Sequence, residues 1–212
     1  LHAAVALHVQ EQKCNATRTL ELAAGNATRG TALIIGANTG DQVQDPSFRL
    51  LGSPSLAHLD KVFVEPMPGC FKQLKANVRH MPRAKAVRRA VANESGTRPL
   101  YCLGTDQTTC QLTTRALNTT GVKEWWPQIC TLSRARLFSK EDVNKYVWIH
   151  DRALEAMITE VQVETIDAQT LLRKEVPSRV RYLQIDVEGL DDQVLMQFPF
   201  DARGGREAFR PE

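Results

Sequence analysis

The chain has 212 residues, a mass of 23.7 kDa and 42% hydrophobic residues, enough for one ordinary domain with a real core, which excludes disorder as its main state. Its 27 Lys+Arg against 24 Asp+Glu leave a net charge of +3, so composition makes no global case for nucleic acid or an anionic membrane as partner. Apolar runs such as Ala32 to Ile35 are far short of the ~20 residues a bilayer span requires, so no transmembrane segment is expected here. The chain opens at Leu1 without a charged-then-apolar leader, from which a processed chain is expected. Five cysteines (Cys14, Cys70, Cys102, Cys110, Cys130) include no C-x-x-C pair, which argues against a zinc knuckle or a structural metal. Cys102, Cys110 and Cys130 lie close together in one irregular stretch, where a disulfide is expected. Four of the seven asparagines (Asn15, Asn26, Asn93, Asn118) sit in N-x-S/T sequons, a hint of a glycoprotein in the secretory-pathway lumen, with the cytoplasm as the alternative.

In chain order, Ala, Val and Leu at mixed helical spacing over residues 3 to 24 predict an N-terminal helical segment within 1–29. Thr31–Ile35 is a continuous apolar run ending in Gly36, the pattern of a buried strand in a parallel sheet. Asp45-Pro46 starts a helix, and Lys61–Glu65 is a second strand. From Pro68 to about Met81, Phe71, Leu74 and Val78 mark an amphipathic helix with its bases outward. Ala86–Ala92 alternates as a third strand, and residues 96–103 add an extended piece. This βαβαβ order predicts a doubly wound α/β fold, a mostly parallel sheet flanked by helices over 30–212. Residues 104–160 lack a clear period and read as an insertion, partly helical near Lys140 to Met157. Regular pattern returns with a strand at Val161–Thr165, a helix from a cap at Asp167, a strand at Val180–Val187 and a helix at Leu190–Phe198. The chain then stops where a doubly wound sheet would add strands, so a truncated C-terminus is expected.

Ligands of open α/β sheets lie outside the carboxyl ends of the strands, and three of those ends carry chemistry. The first continues as Gly36-Ala37-Asn38-Thr39-Gly40-Asp41, a turn able to bring backbone N–H groups close to a ligand, although a tight βα turn alone would use the same residues. It lacks both G-x-G-x-x-G and a P-loop lysine, which disfavours NAD and ATP. The second ends in Glu65, an acid placed to accept the hydroxyls of an adenosine ribose or, more plainly, a solvated strand-end charge. The third ends in Asp186-Val187-Glu188-Gly189, and strand alternation predicts both carboxylates on one side, in the crevice or capping the helix that follows.

Several of these blocks together resemble the FkbM family of S-adenosylmethionine-dependent methyltransferases. They are Leu33–Gly40, Val64-Glu65-Pro66 with Phe71, Leu74 and Asn77 behind it, Ala90–Asn93 through Gly96, Thr165-Ile166-Asp167, and Ile185–Gly189, together spanning about residues 30 to 200. The resemblance implies a Rossmann-like methyltransferase fold with S-adenosyl-L-methionine as cofactor. It further implies that Gly36, Ala37, Asn38 and Gly40 approach the methionine part, Glu65 the ribose, Asn93 the adenine, and Asp186 the methionine amino group. Two positions depart from the family pattern. Ile34 stands where an acid is usual, and Gln184 where a lysine is usual.

The reaction implied is O-methylation of a hydroxyl on a sugar or other small-molecule or glycan acceptor, with Asp186 or Glu188 taking the hydroxyl proton. Two alternatives remain at the level of sequence. A nucleic-acid methyltransferase would use Lys72, Lys75, Arg79, Arg83, Lys85, Arg88 and Arg89, and a non-catalytic module would retain the fold without turnover. Trp125-Trp126 in the insertion, the His150-Asp151 pair, and His58 and His80 are read as packing or surface residues.

Overall fold

The computed structural model describes residues 4–7, 29–41, 45–118, 129–138 and 155–199. Its centre is a five-stranded parallel sheet. β1 (Ala4–Leu7), β2 (Thr31–Ile35), β3 (Asp60–Val64), β4 (Ala84–Val87) and β9 (Val180–Ile185) lie in the order β1-β9-β2-β3-β4. Every residue of β2 and β3 is buried, as expected of strands covered on both faces.

Alternation along the strands divides the core. Leu33, Ile35, Val62, Val64, Leu183 and Ile185 pack with Ala168, Leu171 and Leu172 of α4 (Ala168–Glu175) and Val194 of α5 (Asp191–Leu195). Ala32, Ile34, Phe63 and Tyr182 pack with Phe48 and Leu51 of α1 (Pro46–Leu51) and with Leu74 and Val78 of α2 (Pro68–Val78). Phe48 stacks on Phe63 with ring centroids 5.0 Å apart. Helices thus cover both faces, which makes this an α/β sheet of Rossmann-like organisation. The Ile34 departure is an apolar side chain in this second core, with no exposed surface.

The helix starts follow local chemistry. Asp45 caps α1 by accepting from Ser47 N at 2.8 Å, with Pro46 in the first turn, and Asp167 caps α4 by accepting from Thr170 N at 2.8 Å. Lys61 is fully buried, yet its ammonium donates to the carbonyls of Leu56, Leu59 and Pro82 at 2.8 to 3.0 Å, and its burial lowers its pKa.

Several elements differ from expectation. Ala4–Leu7, expected in a helix, is a strand in parallel register with Tyr182–Ile185; the rest of residues 3–24 lies outside the described residues. Four apolar residues suit either state, and the open edge of β9 selects the strand. The third strand is split at Arg88-Arg89. β4 pairs with β3 in the first sheet, whereas β5 (Ala90–Val91) crosses to a second sheet of order β5-β8-β6-β7. There, β6 (Gly96–Leu103) and β8 (Ile158–Ile166) are antiparallel with Leu103 opposite Ile158, so the chain departs after β6 and returns beside the same residue. Between them lie α3 (Thr114–Leu117), β7 (Cys130–Thr131) and a short 3₁₀ turn at Arg134–Phe138. The helix expected near Lys140 to Met157, Trp125-Trp126 and His150-Asp151 fall outside the described residues, apart from Glu155 to Met157 at the end of that helix.

Disulfides join Cys102 to Cys130 and Cys70 to Cys110. The first was expected within the cysteine-rich stretch and bridges paired strands. Cys110 is not shared among its sequence neighbours but reaches 40 residues back to α2.

Candidate functional site at the switch point of the sheet

Strand register brings the loaded ends together. Ile35 lies opposite both Val64 and Ile185, and Val64 opposite Val87. Gly36, Glu65, Arg88 and Asp186 therefore leave the sheet along one edge. From β2 the chain runs on to β3 and β4 on one side, while β9 occupies the other, so β2 is where strand order reverses, the position at which open α/β sheets bind their ligands.

The turn after β2 and the acid after β3 are in direct contact. Gly36 N and Ala37 N both donate to Val64 O at 3.0 Å, which folds the turn over the end of β3. Glu65 then accepts from Asn38 N at 2.9 Å through Oε2 and from Met67 N at 2.8 Å through Oε1. Glu65 as a whole is 6% exposed, and burial pushes the pKa of its carboxyl from 4.5 up to about 7 while the two backbone N–H groups pull it down. A side chain read as a possible solvated strand-end charge is thus a buried member of the turn.

Glycine is required at Gly36 by position. Its φ is +80°, and a Cβ there would lie 1.7 Å from the carbonyl oxygen of Asp186. Asn38 also has a left-handed backbone, φ 48°. Asn77 Nδ2 of α2 donates to Thr39 O at 2.8 Å, which gives the asparagine in the family-like block a physical role.

At the end of β9, Asp186 N donates to Ile35 O at 2.9 Å and the Asp186 side chain is exposed. The alternation expected to align Asp186 with Glu188 does not apply, because the strand ends at Ile185 and Glu188 adopts φ 54° in a turn. That turn is held by Asp191, a residue sequence reasoning missed, which accepts from Val187 N at 3.0 Å and Gly189 N at 3.1 Å. Its only signal was an acid in the first turn of a helix. Arg136, from the 3₁₀ turn at Arg134–Phe138, packs against Gly189: a Cβ at Gly189 would lie 3.4 Å from its Cδ. Gln184 donates to the cap residue Asp45 at 2.9 Å and accepts from Tyr182 Oη at 3.0 Å. Asp191→Ala is expected to release two backbone donors and cost about 1 to 2 kcal/mol in urea denaturation; an unchanged midpoint would show that the turn holds itself.

Asn93 is held by a different element. It is exposed after β5, and its Oδ1 accepts from Gln197 Nε2 at 3.1 Å, a tie to the end of α5 rather than to the Gly36 turn. The basic stretch is also dispersed: Arg83 pairs with Asp60, Lys85 with Glu175 and Arg89 with Glu164. Acids from distant segments neutralise three of the seven bases, which weakens any phosphate track along them. His80 accepts from Arg79 Nε at 3.3 Å.

Among the described residues no helix is long and apolar enough to cross a membrane. No curated protein and no solved structure matches the chain. A family model does, the methyltransferase FkbM domain, over residues 10–211. That match takes in the Gly36 turn, Glu65 and the Asp186–Gly189 segment, and the chain belongs to the FkbM methyltransferase domain family.

Proposed function

We propose that the chain is an S-adenosylmethionine-dependent O-methyltransferase acting on a hydroxyl of a sugar or other small-molecule or glycan acceptor. The observation that carries this reading is the buried Glu65 carboxyl hydrogen-bonded into the Gly36–Gly40 turn at the reversal of strand order. Each Glu65 oxygen takes one backbone N–H and retains a lone pair, a donor set that fits the two hydroxyls of a ribose.

On this reading Gly36, Ala37, Asn38 and Gly40 hold the methionine part, Glu65 the ribose and Asn93 the adenine side. Asp186, exposed at the rim, holds the ammonium group. When bound, the cofactor supplies a methyl group already activated on a sulfonium. The chain's task is then to orient an acceptor oxygen and exclude water, work worth several kcal/mol in well-oriented reactions. Asp186 or Glu188 removes the acceptor proton as the bond forms. Two disulfides among the described residues, with the sequons, favour the secretory-pathway lumen as the compartment, where oxidised cysteines persist.

Isothermal titration with S-adenosylmethionine and with S-adenosylhomocysteine tests the cofactor. Saturable binding of both at one site is expected. Heat from neither would sink the enzyme reading and favour a non-catalytic module. Mass spectrometry of candidate glycans and of RNA incubated with chain and cofactor tests the acceptor; a methyl gained by RNA alone would overturn the hydroxyl-on-sugar assignment.

A further inference from the structure

The wall beside Asn38 comes from outside the parallel sheet. Residues 105–112 form a loop closed by the Thr105–Leu112 bridge and by Asp106 N to Gln111 O and Cys110 N to Asp106 O at 2.8 and 2.9 Å. Inside it, Asp106 Oδ1 accepts from the backbone N–H and the hydroxyl of both Thr108 and Thr109, which hold its carboxyl at about 2. The loop's shape is held by its own hydrogen bonds.

This loop is docked on the first turns of α2, the helix that follows Glu65. Gly69 N donates to Gln107 O at 2.8 Å and Gln73 Nε2 to Thr109 O at 2.6 Å. A Cβ at Gly69 would lie 2.7 Å from the carbonyl carbon of Thr108, so the backbones meet as closely as glycine allows. The Cys70–Cys110 disulfide closes the dock, and Cys110 Sγ lies 3.6 Å from Asn38 Oδ1. A bridged sulfur has no proton to donate, so this is a packing contact. Asn38 is the residue whose left-handed backbone delivers an N–H to Glu65; asparagine adopts this conformation more readily than other non-glycine residues, and packing against Cys110 helps to hold it there.

We infer that the Cys70–Cys110 disulfide is a positioning element of the cofactor site, pressing the 105–112 loop against Asn38 so that its N–H stays on Glu65. The inference rests on the cofactor reading of this turn. The Cys102–Cys130 disulfide joins β6 and β7 of the second sheet and packs in the same buried cluster as Cys70 and Cys110, but its sulfurs are not the ones set against Asn38, so it serves as the internal control for loss of a neighbouring bridge.

The test compares the parent chain, C70S/C110S and C102S/C130S by titration with S-adenosylhomocysteine and by amide hydrogen exchange without ligand. C70S/C110S is expected to raise Kd about tenfold and to speed exchange at Asn38 about tenfold, relative to amides of Thr31–Ile35. C102S/C130S is expected to leave both within about twofold even where it lowers the melting temperature. Equal Kd and Asn38 exchange in C70S/C110S and parent, or equal losses in both double variants, would overturn the inference. Should C70S/C110S not fold, folded C102S/C130S is treated with dithiothreitol; the dithiol supplies two electrons and two protons, leaving two cysteine thiols and a cyclic disulfide. Faster Asn38 exchange after that reduction supports the inference, and unchanged exchange refutes it. A parent chain that binds no cofactor, yet shows the Asn38 effect in C70S/C110S, would sink the cofactor reading while supporting the positioning of Asn38.

Discussion

On the proposed reading of Glu65 as the ribose ligand, Glu65→Ala is expected to lower affinity for S-adenosylmethionine by about 100-fold or more, the loss of two hydroxyl hydrogen bonds to a carboxylate at about 1.5 to 3 kcal/mol each. Titration of both proteins measures it, and an affinity within a few-fold of the parent would remove Glu65 from the site. The pH dependence supplies an independent check. Burial raises the folded-state pKa from 4.5 to about 7, so between those values the folded chain keeps a proton that the unfolded chain has released. Stability contributed by this group is therefore fully present below about 4.5 and is lost as pH rises through about 7, a change of about 3 kcal/mol. Glu65→Gln should remove that slope from urea denaturation measured across the window, although the amide's NH₂ now faces a backbone donor and lowers stability at every pH. Cofactor binding should run the other way. Ribose hydroxyls favour the ionised carboxylate, so affinity weakens as pH falls below about 7, and this pH dependence is absent in Glu65→Gln.

The second large effect is steric. At Gly36→Ala the new methyl group meets the Asp186 carbonyl 1.7 Å away, an obstacle that no rotamer change relieves because it is backbone. The residue also carries φ +80°, where alanine costs about 1 to 2 kcal/mol before any clash. Relief requires β2 and β9 to part at the Ile35–Ile185 end, where Asp186 N bonds Ile35 O at 2.9 Å. A loss of more than about 3 kcal/mol is expected, about 10 °C in melting temperature for a chain of this size, together with loss of cofactor binding. Gly52→Ala is the matched control. Its φ is −78° and its nearest obstacle lies 3.5 Å away, so it should melt close to the parent. Equal melting of the two variants would show that the turn after β2 is not held as described.

These two residues also show how much of the site was legible in advance. Gly36 and Glu65 stand at the ends of apolar runs, and the βα order between them places both ends on one edge of a parallel sheet. What pattern did not carry was the burial of Glu65: its hydrogen-bond partners, Asn38 and Met67, are backbone groups, and backbone N–H positions leave no mark on residue type. Asp186 was placed correctly at a strand end, but its assumed alignment with Glu188 failed because the strand stopped two residues short of where period-two reasoning carried it.

The amino-acid order alone determined the α/β class, the main strands and helix caps, and the family, because apolar period, proline and cap residues act within a few positions of one another. Tertiary structure decided the rest. It made Ala4–Leu7 a strand by offering the edge of β9, and divided Ala86–Ala92 between two sheets. It paired Cys110 with Cys70 and set that pair against Asn38. Each of these contacts joins segments far apart in the chain, and such pairings are selected by which surfaces remain uncovered once the core has closed, a property of the packed molecule and not of any local window.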